Sequence, residues 1–273
     1  MAGAIRNQFN LVGNTVNSGT TGGVDGGASG GGSTGADSAT VQAAVAKDAK
    51  DWTLDEQKAV AEDIAAKGEA SPAYAKTKAA MDAWTRWSIK LTNGATMRYR
   101  IVGINHDDLA DGSGKAGLTF LTTNIVTDAQ KMNASHTNVG GWKKSKLRER
   151  LNSGDLWALL PAELAGKIEP VEKMTDNQGG GKAGVPTATT DRVFLLSTTE
   201  IYGNLDSDGT QYELYAAKGV TQDNYSVVGV SRDYWTRSTY KWDSEQFMVV
   251  TNSGEPFHSY AANITTTYFA WCF

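Results

Sequence analysis

The residues of this chain whose types suit metal binding or proton transfer are three histidines, His106, His136 and His258, and two acidic runs. The histidines stand far apart, and none belongs to an H-E-x-x-H pattern that would turn two imidazoles to one face of a helix. The acidic runs are "HDDLADGSG", with Asp107, Asp108 and Asp111, and "NLDSDGTQYE", with Asp206, Asp208 and Glu213. Closely spaced oxygens are what a hard cation needs, but neither run follows the twelve-residue EF-hand order. Asp, Asn and Gly also build ordinary turns, because they tolerate left-handed backbone and bond to their own chain, so turns are expected here. The run "NQGGGKAG" lacks the G-x-x-x-x-G-K-[ST] spacing of a phosphate cradle and is read as a mobile loop. Serines are plentiful, but no G-x-S-x-G marks a nucleophile. The carboxylate separation that defines a glycosidase belongs to the fold and is not written in the sequence.

A single cysteine, Cys272, excludes an intramolecular disulfide and any multi-cysteine zinc or iron–sulfur site. It is expected to be a small buried hydrophobe. With every catalytic template unmatched, the chain reads as a non-enzyme without metal or cofactor. The net charge of −4 offers no concentrated basic face, which argues against a nucleic-acid partner. No run approaches the ~20 apolar residues that span a bilayer, and "MAGAIRNQFNLVGNTVNS" lacks the apolar centre of a signal peptide.

One segment remains dense in recognition chemistry. "YWTRSTYKWDSEQFMVVTNSGEPFHSYAANITTTYFAWCF", residues 234–273, holds eleven of the chain's aromatic residues. Its apolar members Trp235, Phe247, Val249 or Val250, Phe269, Trp271 and Phe273 form a candidate framework. Between them lie Tyr240, Trp242, Asp243, Ser244, Thr251, Asn252, Phe257, His258, Ser259, Tyr260, Asn263 and Thr265, the candidate ligand-binding residues. Aromatic rings give rigid contact area at low entropic cost, and Ser, Asn and Thr give adaptable hydrogen bonds, which is the chemistry of a paratope.

The elements that must position these residues are legible in outline. Residues 13–38 are dominated by Gly, Ser and Thr and cannot bury enough apolar area to offset ordering entropy, so a disordered linker is expected. With the dozen residues before it, the linker makes residues 1–38 a flexible N-terminal attachment segment that docks onto another protein. Residues 39–85 read as a helical connector. Thr53 and Glu56 form a capping box, with Gly68 as the stop, and Ser71 and Pro72 open a second helix. The pair makes a helical hairpin that covers the following domain, or alternatively serves as an assembly stalk. From residue 86 onward short β-type runs take over: "WSIKL", "TMRYRIVGI", "LTFLTTN", "RVFLLS", "QFMVV" and "YFAWCF". Asn93 and Gly94 mark a hairpin between the first two. Helical spacing returns once, in "WKKSKLRERLNSGDLWALLPAELAGKI", through Leu147, Leu151, Leu156, Leu159 and Leu160. Strands mixed with helices, without βαβ alternation, give an α+β domain over residues 86–273.

The stretches "GGWKKSKLRERLN" and "VFLLS", and the W-x-R-S opening of the final segment at Trp235, together with "YRIVGINHDDL" and "DRVFLLSTTEIYG", resemble a family of bacterial and prophage proteins with a C-type lectin-like domain. Some of its members are the target proteins of diversity-generating retroelements. The resemblance covers residues 86–273 and implies that residues 233–273, about the last forty, are a variable-type segment in which adenine mutagenesis rewrites chosen codons on a fixed scaffold. Most of the candidate binding residues belong to the set that a mutagenised Asn codon can reach. Lys241, Trp242 and Glu245 do not. The resemblance implies a receptor-binding protein, an adhesin on a phage tail or other surface-displayed structure. It would meet a host-surface protein or glycan, hold a virion or tail protein through its N-terminal segment, and assemble as a homo-oligomer such as a trimer. Two other readings stand beside it. One is a structural virion or cell-surface protein without a ligand, which an exposed aromatic patch would disfavour. The other is an enzyme of the formylglycine-generating type, which shares the fold but depends on paired cysteines.

Overall fold

The computed structural model describes residues 38–206 and 208–273. Apart from Ser38, the expected attachment segment and Gly-rich linker lie outside the described residues. Helix α1, Ala39–Ala46, starts where the Ser38 hydroxyl accepts from the amide of Val41. Helix α2, Leu54–Lys67, carries both halves of the expected capping box: Thr53 accepts from the Glu56 amide and Glu56 accepts from the Thr53 amide. Gly68 is its C-cap. Helix α3, Tyr74–Asp82, begins later than Ser71 and Pro72 predict. The Ser71 hydroxyl accepts from the amide of Ala73 and donates to Asp63, so it shapes the turn that precedes the helix and ties it to α2. The expected hairpin is thus three helices.

Strand β1, Trp87–Lys90, and strand β2, Thr96–Ile104, pair antiparallel across the Asn93-Gly94 turn. Strand β3, Leu118–Thr122, follows. Just before it, a Cβ on Gly117 would stand 1.8 Å from the carbonyl oxygen of Ala61, so only glycine lets α2 lie this close to the sheet. The leucine-rich stretch expected to be helical is broken into α4, Gly141–Lys144; α5, Lys146–Asn152; and α6, Ala162–Ala165. The Ser145 and Pro161 positions interrupt it, each in extended backbone. Strands β4, Val171–Thr175, and β5, Thr187–Asp191, form a separate hairpin. After β6, Val193–Phe194, come α7, Thr198–Tyr202, with a second capping box from Ser197 and Glu200, and α8, Glu213–Ala217. Strands β7, Tyr234–Thr239; β8, Gln246–Val250; and β9, Pro256–Tyr260, make a three-stranded antiparallel sheet. The chain closes with β10, Ala270–Cys272.

The result is an α+β architecture, with no helix among the described residues long and apolar enough to cross a membrane. Strand β10 lies between β3 and β6 in a five-stranded sheet of order β1-β2-β3-β10-β6. A strand in that position is buried on both faces, which accounts for Phe269, Trp271 and Phe273. The rings of Tyr99, Phe120 and Trp271, from three adjacent strands, meet at centroid distances of 5.1 to 5.8 Å, and Phe273 meets Phe120 edge-on at 5.1 Å. The same core takes in Val60 and Ile64 of α2 and Val41 of α1.

Candidate functional site

The sheet of β7, β8 and β9 divides the aromatic segment into an inner and an outer set. Trp235, Phe247, Val249, Val250, Phe269, Trp271 and Phe273 are all buried, as the framework assignment requires. Trp235 is fixed further by its indole N–H, which donates to the carbonyl of Gln130 at 2.8 Å. The turn between β7 and β8, residues 240–245, is held from below by Asn138. This fully buried side chain donates from Nδ2 to the carbonyls of Asp243 and Gln246, each at 2.7 Å, and lies 3.3 Å from that of Tyr240. Its Oδ1 accepts from the amide of Gly180, and its own amide donates to the carbonyl of Ser244. A Cβ at Gly179 would stand 1.9 Å from the Asn138 carbonyl oxygen. The glycine run read as a mobile loop is therefore a packing element, in which the missing side chain admits the Asn138 backbone.

On this support stands a row of rings. The Tyr240 and His258 rings lie nearly parallel, 4.1 Å apart at 11°, and Phe257 lies 4.5 Å from His258 at 14°. Tyr260 meets His136 edge-on at 5.1 Å. Trp242, at the tip of the turn, is 74% exposed, and Phe257 and Tyr260 are also exposed. Asp243 uses Oδ1 to accept from the Glu245 amide, which leaves its other oxygen free to face solvent, and Ser244 is exposed beside it. The Asn263 side-chain amide donates to the Ser259 hydroxyl at 3.1 Å, so these two polar groups are already aligned beside Tyr260.

Eleven of the twelve expected binding residues are exposed or half-buried, but they do not form one face. Thr251 and Asn252 sit in the turn between β8 and β9, at the opposite end of β8 from Trp242. Five residues of strand separate the two turns, roughly 15 Å. There the Thr251 and Ser253 hydroxyls bond to each other, and the Asn252 amide donates to Asp233. Thr265 is corrected outright: it is only 9% exposed, and its backbone exchanges hydrogen bonds with Gln130 in a β-bridge. The sequence reading weighed His136 only as a metal ligand and did not single out the exposed Val139; the two flank Asn138, roughly a hundred residues before the segment. Nothing local in "ASHTNVGG" signals that placement.

The remaining chemistry-bearing residues form a second, buried cluster. Lys173 pairs with Asp107 and, at 2.5 Å, with Glu200; Arg237 pairs with Glu200 through both amine groups. The Tyr212 and Thr119 hydroxyls donate to Asp107. Burial alone would raise the Asp107 carboxyl, but the Lys173 ammonium and the neighbouring His106 outweigh it and hold the group far below the usual carboxylate range. Glu200 is likewise lowered: burial opposes ionisation, and Arg237 and Lys173 overcome it. Two cations and two carboxylates neutralise one another, away from solvent, beside the core rings. This is the arrangement of a structural ion network, with all four side chains buried among the described residues. Cys272 lies against it, fully buried, with its thiol pushed up by desolvation and by the Asp107 charge. Asp108 pairs with exposed Lys115, and Asp111 accepts from the amide and hydroxyl of Ser113, as turn residues do. Glu213 bonds to His106, and Asp206 accepts from Thr198. Among the described residues, no three His, Cys, Asp or Glu side chains gather as metal ligands do.

The fold and this face define an α+β protein that presents a ring-rich turn and edge strand on a rigid sheet. Residues 116–267 match the family described as a domain of unknown function, DUF6273, and the chain belongs to that family. The matched span runs from the residue before Gly117 to the approach to β10, and so contains the whole aromatic face together with Asn138. No curated protein and no solved structure matches the chain.

Proposed function

We propose that the protein is a receptor-binding protein whose ligand meets the face formed by Tyr240, Trp242, Asp243, Phe257, His258 and Tyr260. The observation that carries this reading is the contrast within one sheet: Trp235 and Phe247 are sealed in the core, while Trp242 is 74% exposed and Phe257 51%. Aromatic side chains left in water on a supported turn are costly unless a partner covers them, and they supply the hot-spot chemistry of interfaces. The same contrast favours binding over a purely structural role.

The wider reading places this face on a C-type lectin-like scaffold, with residues 233–273 as a variable-type segment. It is supported by the motif resemblance and by the separation of a fixed inner set from a substitutable outer set. In this reading the protein is an adhesin on a phage tail or comparable surface structure. It attaches through the segment before residue 39 and gains avidity as a homo-oligomer such as a trimer. It recognises a host-surface protein or glycan by contact alone and performs no chemistry.

The test is binding of the labelled protein to a panel of intact bacterial cells and to a glycan array, with Trp242→Ala/Tyr260→Ala as the comparison. Binding is expected to fall at least tenfold in the double variant, with its unfolding midpoint unchanged. Full binding by a folded double variant would place the contact surface elsewhere.

A further inference from the structure

Strand β2 buries a positive charge that no carboxylate among the described residues neutralises. Arg100 is 9% exposed, and its Nε has no hydrogen-bond partner there. Its guanidinium carbon lies over the Trp84 ring, 3.8 Å from the centroid, and the Tyr215 hydroxyl is its hydrogen-bonding neighbour. Trp84 holds this position at a positive φ of 58°, a backbone region that is strained for a non-glycine residue. Elsewhere in the molecule the rule is the opposite: buried Arg237 and Lys173 are each matched by carboxylates. An isolated buried charge is among the most expensive features a fold can carry.

Arg100 borders a cavity of about 110 Å³, with Arg86 exposed at its rim and Trp84, Tyr215, Tyr234 and Tyr268 among its walls. Pockets that enclose a whole drug-sized ligand measure roughly 300–1,000 Å³, so this one admits a functional group and a short body. Its interior offers one desolvated guanidinium, phenol hydroxyls and ring faces. Burial raises Tyr215 and Tyr234, which keeps both phenols protonated and able to donate.

We infer that this cavity is an anion-binding site for a small carboxylate, held by Arg100 with Arg86 at the entrance and its carbon body against Trp84 and the tyrosine rings. A planar carboxylate matches one edge of one guanidinium, whereas a phosphate dianion calls for more cationic groups than a single buried arginine supplies. The site shares no residue with the Trp242 face, so its failure leaves the receptor-binding reading untouched.

The experiment follows the unfolding midpoint of the full chain, with calorimetric titration, in acetate, propionate and benzoate against sodium chloride at equal ionic strength, with inorganic phosphate as a separate arm. The expected result is a saturable rise in midpoint with one carboxylate per chain, since a ligand of the native state stabilises it by mass action. Arg86→Gln should weaken the affinity about tenfold. Arg100→Met should fold without anion at least as stably as the parent and lose the response. If Arg100→Met does not fold, the Arg86→Gln arm and quenching of Trp84 fluorescence, read against Trp84→Phe, decide the matter. No saturable response in the parent, a response to phosphate alone, or an affinity unchanged in Arg86→Gln would each overturn the assignment.

Discussion

The side-chain amide of Asn138 donates to the carbonyl of Gln246 at 2.7 Å, joining two points 108 residues apart in the chain. The same group reaches the carbonyl of Asp243, so one buried side chain ties together both ends of the ring-bearing turn, alongside the turn's own bonds from the Tyr240 amide to the Gln246 carbonyl and from the Glu245 amide to Asp243. Removing it takes a donor from each of these carbonyls; those of Gln246 and Tyr240 keep a backbone amide, and that of Asp243 loses its Asn138 partner. Asn138→Ala should cost about 2–4 kcal/mol, the sum of lost bonds and unsatisfied acceptors. Asn138→Asp should cost at least as much at neutral pH, because a carboxylate would face the same carbonyls. Urea unfolding measures both, and a loss under about 1 kcal/mol in either would show that the turn holds itself.

The two tryptophans of the segment should behave oppositely. Trp235 is buried, and its truncation to Ala removes core contacts and the bond to Gln130, at a cost of about 3–5 kcal/mol. Trp242 is mostly solvent-exposed, and Trp242→Ala should shift stability by under about 0.5 kcal/mol. Comparable losses for the two would mean that the turn packs against something in solution.

This division was legible from residue type and spacing. The framework positions recur within the strand runs "QFMVV" and "YFAWCF", and helix α2 announced itself through Thr53, Glu56 and Gly68. What was hidden is pairing. Thr251 and Asn252 have the composition of the binding face, but β8 carries them to its far end. Thr265 has a type found on adaptable surfaces and is consumed by a bridge to Gln130. Strand β9, "PFHSY", lacks apolar alternation because it is an edge strand whose residues are exposed or half-buried, with none in the core. The positions of Asn138 and Arg100 could not be found locally, since each matters only through partners far away in sequence. Buried polar residues of this kind are set by tertiary contacts, which periodicity does not report.

The buried ion network makes a third prediction. Arg237→Leu leaves Lys173 alone to balance both Glu200 and Asp107, and should cost at least about 3–5 kcal/mol. The double variant Arg237→Leu/Glu200→Leu removes one charge of each sign and leaves Lys173 with Asp107. It should recover a large part of that loss. A double variant no more stable than the single one would argue that packing around Arg237, and not the stranded carboxylate, dominates.

Asp208 has the opposite electrostatic history from Asp107 and Glu200, and this gives the stability curve a recognisable shape. Burial raises its carboxyl from 3.8 to about 6, with the Arg237 charge only partly offsetting the desolvation. An acid whose native value lies above its unfolded value binds more protons when folded, so its contribution is fully present below about pH 4 and is lost as pH rises through about 6. Asp107 and Glu200 are lowered, so their contribution is present above about pH 4–5 and is lost as pH falls further. The carboxyl of Asp208 accepts from the Asp176 amide, a bond that an asparagine oxygen can keep. Asp208→Asn should therefore be more stable than the parent at pH 7, by about 1–3 kcal/mol, because a tenfold change in a proton-binding constant corresponds to about 1.4 kcal/mol. Near pH 4 the two should converge. Urea unfolding at pH 4, 5.5 and 7 reads the difference directly. Parallel curves for the two proteins across that window would mean that Asp208 is already ionised at pH 4 in the folded state, and that water or a cation reaches it.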